Sequence, residues 1–161
     1  MEMIKKHKVL LVIGLVIGLL LVAAAVIILF FRTYLSDVRA LTGFETSYHN
    51  YDQAMADFSR PVLAAEPTAA DLENKADETL FELKFTASVK ISSLIKNDAE
   101  LMSTALQIAS LSDKELAALK TYKNAAAEKN ANLTELAKQF ADWSHQRQAA
   151  YAHFMDLAGG N

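Results

Sequence analysis

The sequence predicts an all-α protein, in which one N-terminal transmembrane helix continues into an extracytoplasmic, up-down-up bundle of three coiled-coil-like helices. Two observations predict this fold. The 23 residues 9–31 form an unbroken apolar run with no charge and no proline. Over 32–161, apolar residues recur at spacings of three and four, which is the period of an α-helix, and no stretch alternates as a β-strand does.

The apolar run 9–31 is long enough to cross a bilayer. At about 1.5 Å per residue it spans roughly 35 Å, against about 30 Å for the hydrocarbon core. A cleaved signal peptide is the alternative, because lysines precede the run and the alanines 23–25 suit a peptidase. The run is longer than the apolar region of such peptides and continues as VIILFF, so we expect an uncleaved signal anchor.

The charges on the two sides of the run predict its orientation. Residues 1–8 carry three lysines and one glutamate, a net charge of +2, whereas residues 32–161 carry 13 basic and 18 acidic side chains, a net charge of −5. The positive-inside rule then places the tail 1–8 in the cytoplasm and the domain 32–161 outside. The alanine-rich helices suggest a bacterial inner membrane, with the domain facing the periplasm or the cell exterior.

Composition also excludes several classes of partner and site. An acidic domain does not suit nucleic acid, whose phosphates bind clustered Lys and Arg. The absence of cysteine excludes disulfides and zinc–thiolate sites. No Gly-rich phosphate loop and no nucleophile–base motif is present, so we expect neither an enzyme nor a bound cofactor.

Three helices are expected outside the membrane. Pro61 and Pro67 bracket the loop after the first helix, because proline disfavours helix in the residue before it. Ser112 and Glu115 have the spacing of a capping box, which would start the third helix and make it antiparallel to the second. The predicted bounds are about 32–60, 69–110 and 113–158.

The second of these helices carries two adjacent apolar seams, which predict a wide face in contact with two neighbours at once. The first seam runs through Leu80, Leu83, Ala87, Ile91, Leu94, Leu101, Ala105 and Ile108. The second runs through Phe81, Phe85, Ile95, Met102, Leu106 and Ala109.

Charged residues on the seams are candidates for ion pairs between helices. With a turn near residue 112, Asp98 falls level with Lys129, and Arg147 falls level with Asp77 and Glu78. Either these residues are solvated flanks, or they form partly buried pairs that fix the helix register. Arg147 also lies near the aromatic residues of the bundle, where it could meet an anionic ligand group.

Histidine and aspartate occur at a metal-ligand spacing on two helices, as His49 with Asp52 and as Asp142 with His145. Helical bundles with carboxylate-bridged iron use a similar spacing, in Glu-x-x-His pairs that point inward. Here the pairs contain aspartate, and the histidines lie beside their seams. We therefore expect solvated side chains and no metal site.

Glycines within the apolar run suggest lateral association in the membrane. Gly14 and Gly18 are four residues apart and, with Ala25, form a small-residue face that a second helix can approach closely. The alternative is that glycine is simply frequent in transmembrane helices. The expected partners are the lipid bilayer and either another membrane protein or a second copy of this chain.

Two classes of function fit these expectations. The first is a structural or interaction role, as an accessory subunit or assembly factor of a membrane or envelope complex. The second is a ligand-binding or sensory module that acts through a partner, similar in outline to the periplasmic bundles of chemoreceptors. An exposed apolar groove would favour the first class, and an enclosed polar cavity near Arg147 would favour the second.

Overall fold

The protein is all-helical throughout the part that the structure describes, as the sequence predicts. The structure is a computed structural model that describes residues 2–66, 70–94, 98–128 and 132–159, with the backbone alone for 2–14. Within these ranges there are four α-helices and two short helical segments of other types. They are α1 (Glu2–Leu63), α2 (Ala70–Phe85), a π-helix (Thr86–Lys90), a 3-10 helix (Ile91–Ser93), α3 (Ala99–Ala127) and α4 (Leu133–Gly159).

The chain divides into two compact units, Met1–Val38 and Arg39–Asn161. The first unit is a single helical segment, with an 18-residue window of mean hydropathy 2.8 of which 0% is buried. A core helix of a soluble protein would bury most of such a window. One helix near the N-terminus is therefore long and apolar enough to cross a membrane, as the sequence predicts.

The second unit has one hydrophobic core, to which all four helices contribute. Aromatic side chains from α1 and α4 fill much of it, and Phe44 packs against Phe154 with ring centroids 4.6 Å apart. Burying large apolar side chains is the main stabilising term of such a fold, at about 1.5–3 kcal/mol each. The large apolar side chains that are fully buried are Phe44, Tyr51, Phe58, Leu83, Ile108, Leu119 and Phe154.

Helices α2 and α3 run antiparallel, because residues later in α2 pair with residues earlier in α3. Lys84 lies 2.9 Å from Asp113, and Asp77, two helical turns earlier, lies 2.7 Å from Lys120. These pairs are half exposed and contribute at most about 1 kcal/mol each.

Helix α4 runs antiparallel to both α1 and α3. Along α1, Tyr48 stacks on Tyr151 of α4 and Asp52 meets Arg147 of α4. Arg147 in turn meets Glu115 of α3. These contacts bring α1, α3 and α4 together at the level of Arg147.

The expected three-helix layout is wrong at the second turn. Residues 110–113 lie inside α3, so Ser112 and Glu115 do not start a helix. The Ser112 hydroxyl donates instead to the carbonyl of Ile108, one turn earlier, at 2.9 Å. Nothing in the segment breaks a helix, and both polar side chains are fully buried because they belong to a polar cluster in the core.

Two breaks within the predicted helices divide the chain elsewhere. Leu94 is extended, and the Asp98 carboxylate accepts hydrogen bonds from the backbone N–H groups of Glu100 and Leu101, which makes Asp98 the N-cap of α3. Between α3 and α4, the carbonyl of Asn132 accepts the first hydrogen bond of α4. Both breaks fall at Asp and Asn, residues that favour caps over helix interiors.

Helix α1 extends beyond the predicted end at residue 60, to Leu63. It closes in a Schellman motif, in which Glu66 N–H donates to the Pro61 carbonyl and Ala65 N–H donates to the Val62 carbonyl. Ala65 has a φ of 55°, the left-handed conformation that this motif requires. Pro61 thus lies in the last helical turn, and α1 ends three residues later than expected.

Candidate functional site

Arg147 is at the centre of a buried polar cluster. Only 2% of it is exposed, and its Nη2 donates to Asp52 Oδ1 at 2.6 Å. Its Nε lies 2.7 Å from Glu115 Oε2, at an angle outside hydrogen-bond geometry, and Glu115 is 1% exposed. Three helices therefore contribute one charge each to a single cluster.

Two tyrosines complete this cluster. The Tyr51 hydroxyl donates to the Ser112 carbonyl at 2.7 Å and lies 3.1 Å from Glu115 Oε2. The guanidinium carbon of Arg147 lies 5.1 Å from the Tyr48 ring centre and 5.3 Å from that of Tyr51, within cation–π range. The cluster is thus enclosed by aromatic rings as well as by carboxylates.

Burial and charge shift the pKa values in the cluster. Burial raises the pKa of Tyr48 to about 12 against the opposing effect of Arg147, and burial with the Glu115 charge raises the pKa of Tyr51 further. Burial alone would lower the pKa of Arg147, but Glu115, Tyr48 and Asp52 together raise it. Arg147 is therefore a permanent cation, which its two carboxylate partners stabilise.

This cluster does not suit an anionic ligand. The two carboxylates already exceed the single positive charge of Arg147, so the local charge is −1 before any ligand is considered. With Arg147 only 2% exposed, its side chain does not line an open site. The arrangement is a buried ion-pair network that joins α1, α3 and α4.

The ion pairs predicted from the sequence are replaced by others. Arg147 pairs with Asp52 and Glu115, not with Asp77 and Glu78. Asp77 pairs with Lys120, and Glu78 is exposed. The predicted matching was wrong because it assumed a turn near residue 112.

Of the other predicted pair, Asp98 caps α3 and Lys129 lies outside the described residues. Sequence reasoning also assigned Ser112 and Glu115 to a helix start. Both residues continue the helical spacing of the buried apolar residues before and after them. This spacing indicates that their side chains are buried, and the prediction did not use it.

The candidate metal ligands are engaged elsewhere or exposed. Asp52 binds Arg147, and His49 Nε2 lies 3.3 Å from the Tyr151 hydroxyl. Asp142 and His145 are exposed on α4. Among the described residues, no three His, Cys, Asp or Glu side chains form a group that could hold a metal ion.

The small-residue face lies in α1. Ala25 is exposed, and a Cβ atom added to Gly18 would meet nothing within 4 Å. Gly14 belongs to the segment for which only the backbone is described. Within the described part of the chain, this face around Gly18 and Ala25 is therefore open to a neighbour.

The second apolar seam of the predicted long helix is where the structure offers a surface. The first seam is buried, since Leu83 and Ala87 are each 0% exposed. Phe81 is 74% exposed, Phe85 47% and Leu106 43%, whereas Met102 is half-buried and Ala109 is buried, so the described chain covers this seam only in part. Ile95 lies outside the described residues.

These exposed residues form one continuous surface, which we call the α2 face and define as Phe81, Lys84, Phe85, Ser88, Val89 and Leu106. Val89 adds a further 48% exposed side chain in the π-helical segment. A groove of about 400 Å³ runs along Phe81 and Phe85, and a second of about 350 Å³ lies beside Leu106. The two grooves share Lys84 and Ser88, and so adjoin.

The backbone of this face is irregular. The π-helix Thr86–Lys90 and the 3-10 helix Ile91–Ser93 follow α2 directly, in place of regular α-helix. Short π-helical segments within helices occur frequently at functional sites. The irregular segment and the exposed phenylalanines thus coincide on one surface.

Comparison of the chain with protein-family models, with curated proteins and with solved structures gives no match. The functional argument therefore rests on the residues themselves.

Proposed function

We propose that this chain is a single-pass membrane protein whose helical domain binds another protein, as an accessory subunit or assembly factor of a membrane or envelope complex. The N-terminal tail 1–8 lies in the cytoplasm and the domain lies outside, in the periplasm or at the cell exterior. The observation that carries this proposal is the α2 face, an apolar surface that the described chain leaves uncovered.

The anchor rests on the apolar segment of α1. Its side chains from Leu15 to Phe31 are exposed, so their contact with water would be unfavourable by about 25 cal/mol for each Å². A lipid bilayer removes this cost, and residues 9–31 match its thickness. The basic tail and the acidic domain favour the proposed orientation.

The interaction role rests on the size and the residue types of the α2 face. The largest apolar patch on a soluble monomer, typically about 300–600 Å², is often functional, and aromatic residues are enriched where proteins bind each other. Phe81 is exposed to 74%, although burying a phenylalanine is worth about 1.5–3 kcal/mol. A partner that covers Phe81 and Phe85 would recover much of this free energy.

The ligand-binding alternative lacks a comparable observation. Arg147, its best candidate for contact with an anion, is buried and is matched by Asp52 and Glu115. The exposed grooves are lined largely by apolar atoms of α2 and α3. Protein docking therefore accounts for the surface better than capture of a small anion.

Within the bilayer, we propose that Gly14, Gly18 and Ala25 form a lateral association face. Exposure of Gly18 and Ala25 is compatible with this role. Gly18→Leu should weaken association of the membrane helices, measured by energy transfer between labelled chains in liposomes, whereas Leu20→Ala on the same segment should not. Equal association of both variants would contradict the role of this face.

Photo-crosslinking tests the docking role. A photoreactive phenylalanine analogue replaces Phe81 in the full-length chain, expressed in membranes, and the matched control carries it at Gln139, an exposed position on α4. We expect a defined protein adduct from position 81 and none from position 139. No adduct at 81, or equal adducts at both positions, would contradict a docking surface on α2.

A further inference from the structure

We propose that the segment 32–38 of α1 lies in the headgroup region of the bilayer, with one of its sides against lipid. We call this the Tyr34 side and define it as Tyr34, Leu35 and Val38. The inference rests on the anchor of the proposed function, because it extends that anchor beyond residue 31. It is carried by the exposure of these side chains, by the length of the exposed helix and by the order of residues around it.

The exposed apolar part of α1 does not end with the apolar run at residue 31. Tyr34 is 59% exposed, Leu35 49% and Val38 40%. Over residues 15–63 of α1, burial begins at Ala40, and the compact unit Met1–Val38 ends just before that residue. The described chain therefore leaves the Tyr34 side uncovered.

The length of this exposed helix matches a whole bilayer. Residues 9–38 are 30 residues of one continuous helix, which span roughly 45 Å at about 1.5 Å per residue. A bilayer measures about 30 Å across its hydrocarbon core and about 40–45 Å with its headgroup regions. With residues 9–31 in the core, the segment 32–38 falls in the headgroup region.

The residue types of the segment suit the boundary between lipid and water. Tyrosine is enriched there, because its ring is apolar and its hydroxyl is polar. Arg32 can extend its charge to water while its stem stays against apolar groups. The Thr33 hydroxyl donates to the Phe30 carbonyl at 2.7 Å, so it has a partner without water. Because the Tyr34 side also continues directly from the apolar run, lipid is the occupant that fits it.

Apolar and polar residues lie on different sides of the segment. At about 100° per residue, the Tyr34 side covers an arc of about 100°, whereas Ser36 lies roughly 160° from Val38. Ser36 follows Gly18 by 18 residues, or about five turns, so the polar side continues the small-residue face. Contact of the Tyr34 side with lipid therefore leaves the small-residue face free for another helix.

Tilting of the helix would bring the Tyr34 side toward the bilayer. A tilt of about 30° fits the run 9–31, roughly 35 Å long, into a core of about 30 Å. Across a helix about 10 Å wide, this tilt shifts opposite sides by roughly 5 Å, which exceeds the rise of about 3 Å from Ser36 to Val38. Val38 should therefore contact lipid more than Ser36 does, although it comes later in the chain.

Spin labels test this order, since the natural chain has no cysteine to compete for the label. Full-length chains with Leu35→Cys, Ser36→Cys or Val38→Cys are labelled with a nitroxide and reconstituted in vesicles of phosphatidylcholine and phosphatidylglycerol. Ile28→Cys, at a 66% exposed position in the apolar run, is the control. The collision rates of each label with oxygen, which is lipid-soluble, and with a water-soluble nickel chelate give a ratio that is corrected for steric exposure.

We expect the oxygen-to-nickel ratio to be about twofold or more higher at positions 35 and 38 than at position 36, which corresponds to about 0.4 kcal/mol. A ratio that falls steadily from 35 to 38 would overturn the inference, because it indicates no side turned toward lipid. A label at 35 or 38 that neither reagent reaches would also overturn it, since protein would then cover this side.

The control at Ile28 separates this inference from the proposed anchor. A high ratio at 28 with low ratios at 35, 36 and 38 leaves the anchor intact and overturns the inference. A low ratio at 28 contradicts both.

Discussion

Removing the charge of Arg147 should be among the most destabilising single changes in this protein. Arg147→Met leaves the Glu115 carboxylate, 1% exposed, without a charged partner; the Tyr51 hydroxyl, 3.1 Å away, has one proton and shares it with the Ser112 carbonyl. A buried charge that loses its partner costs about 3–5 kcal/mol. Asp52 adds little to this cost, because its side chain is 46% exposed and can be hydrated.

Removing both charges should cost less than removing one. In Arg147→Met with Glu115→Met, no uncompensated charge remains, and Tyr51 still donates to the Ser112 carbonyl at 2.7 Å. Apolar replacement of a whole buried pair is often neutral or stabilising. We therefore expect the double variant to be more stable than Arg147→Met by about 2 kcal/mol or more.

The assay is urea unfolding of the full-length chain in mild detergent, followed by the fluorescence of Trp143. Trp143 is the single tryptophan of the chain and lies on α4. The amine of Lys114, on α3, lies 4.7 Å from the centre of its ring. The four proteins of the double-mutant cycle give the coupling free energy directly. Additive losses, with the double variant the least stable of the four, would refute the coupling of Arg147 to Glu115.

Further changes should act through the backbone and through one tyrosine. Ala65→Gly should stabilise the protein by roughly 0.5–1 kcal/mol, because glycine adopts a φ of 55° without strain, at a cost in chain entropy. Gly43→Ala should stabilise it by about 1 kcal/mol if Lys90, whose amine lies 3.3 Å from the added Cβ, moves aside. Urea unfolding measures both changes, and destabilisation would contradict either prediction. Asp98→Ala should lose about 1 kcal/mol in the same assay, with Asp98→Asn nearly unchanged, and equal losses would contradict its role as an N-cap. Burial raises the pKa of Tyr48 from 10.0 to about 12, so the contribution of its protonated hydroxyl to the free energy of unfolding is complete below pH 10 and is lost as the pH rises from 10 to about 12. Across this range the free energy of unfolding should fall less steeply for Tyr48→Phe than for the natural chain. Identical slopes would contradict the burial effect.

The helical class and the apolar anchor segment follow from patterns that depend on local sequence. Residues 9–31 contain no charge, and the spacing of Phe44, Tyr48 and Tyr51 places them on one side of α1, where all three are buried. Such periodicity reports which side of a helix is apolar, whatever the neighbours are.

The helix ends were harder to predict, because capping residues also serve in cores. Ser112 and Glu115 have the spacing of a capping box, but the site is decided by Tyr51 and Arg147, which come from distant parts of the chain. Asp98 was assigned to an ion pair, although it binds the backbone of its own helix. Once the turn was misplaced, every residue matched by height across it was misplaced too.

The exposed seam shows a different limit of sequence reasoning. Phe81 and Phe85 have the period of core residues, and the sequence alone does not distinguish a seam covered within the chain from one covered by a partner. Only the packing of Leu83 and Ala87 into the core reveals that the neighbouring seam faces outward.

Native mass spectrometry of the full-length chain, released gently from its own membrane, tests the docking role of the α2 face most directly. We expect the 17.7 kDa chain to appear in a larger assembly, and Phe81→Ser with Phe85→Ser to remove from it the mass of the partner that the α2 face holds. Phe81 is 74% exposed and Phe85 47%, so the variant should lose only about 1 kcal/mol and remain folded, which urea unfolding checks. A monomer in the natural protein, or assembly masses that the double substitution leaves unchanged, would contradict the account.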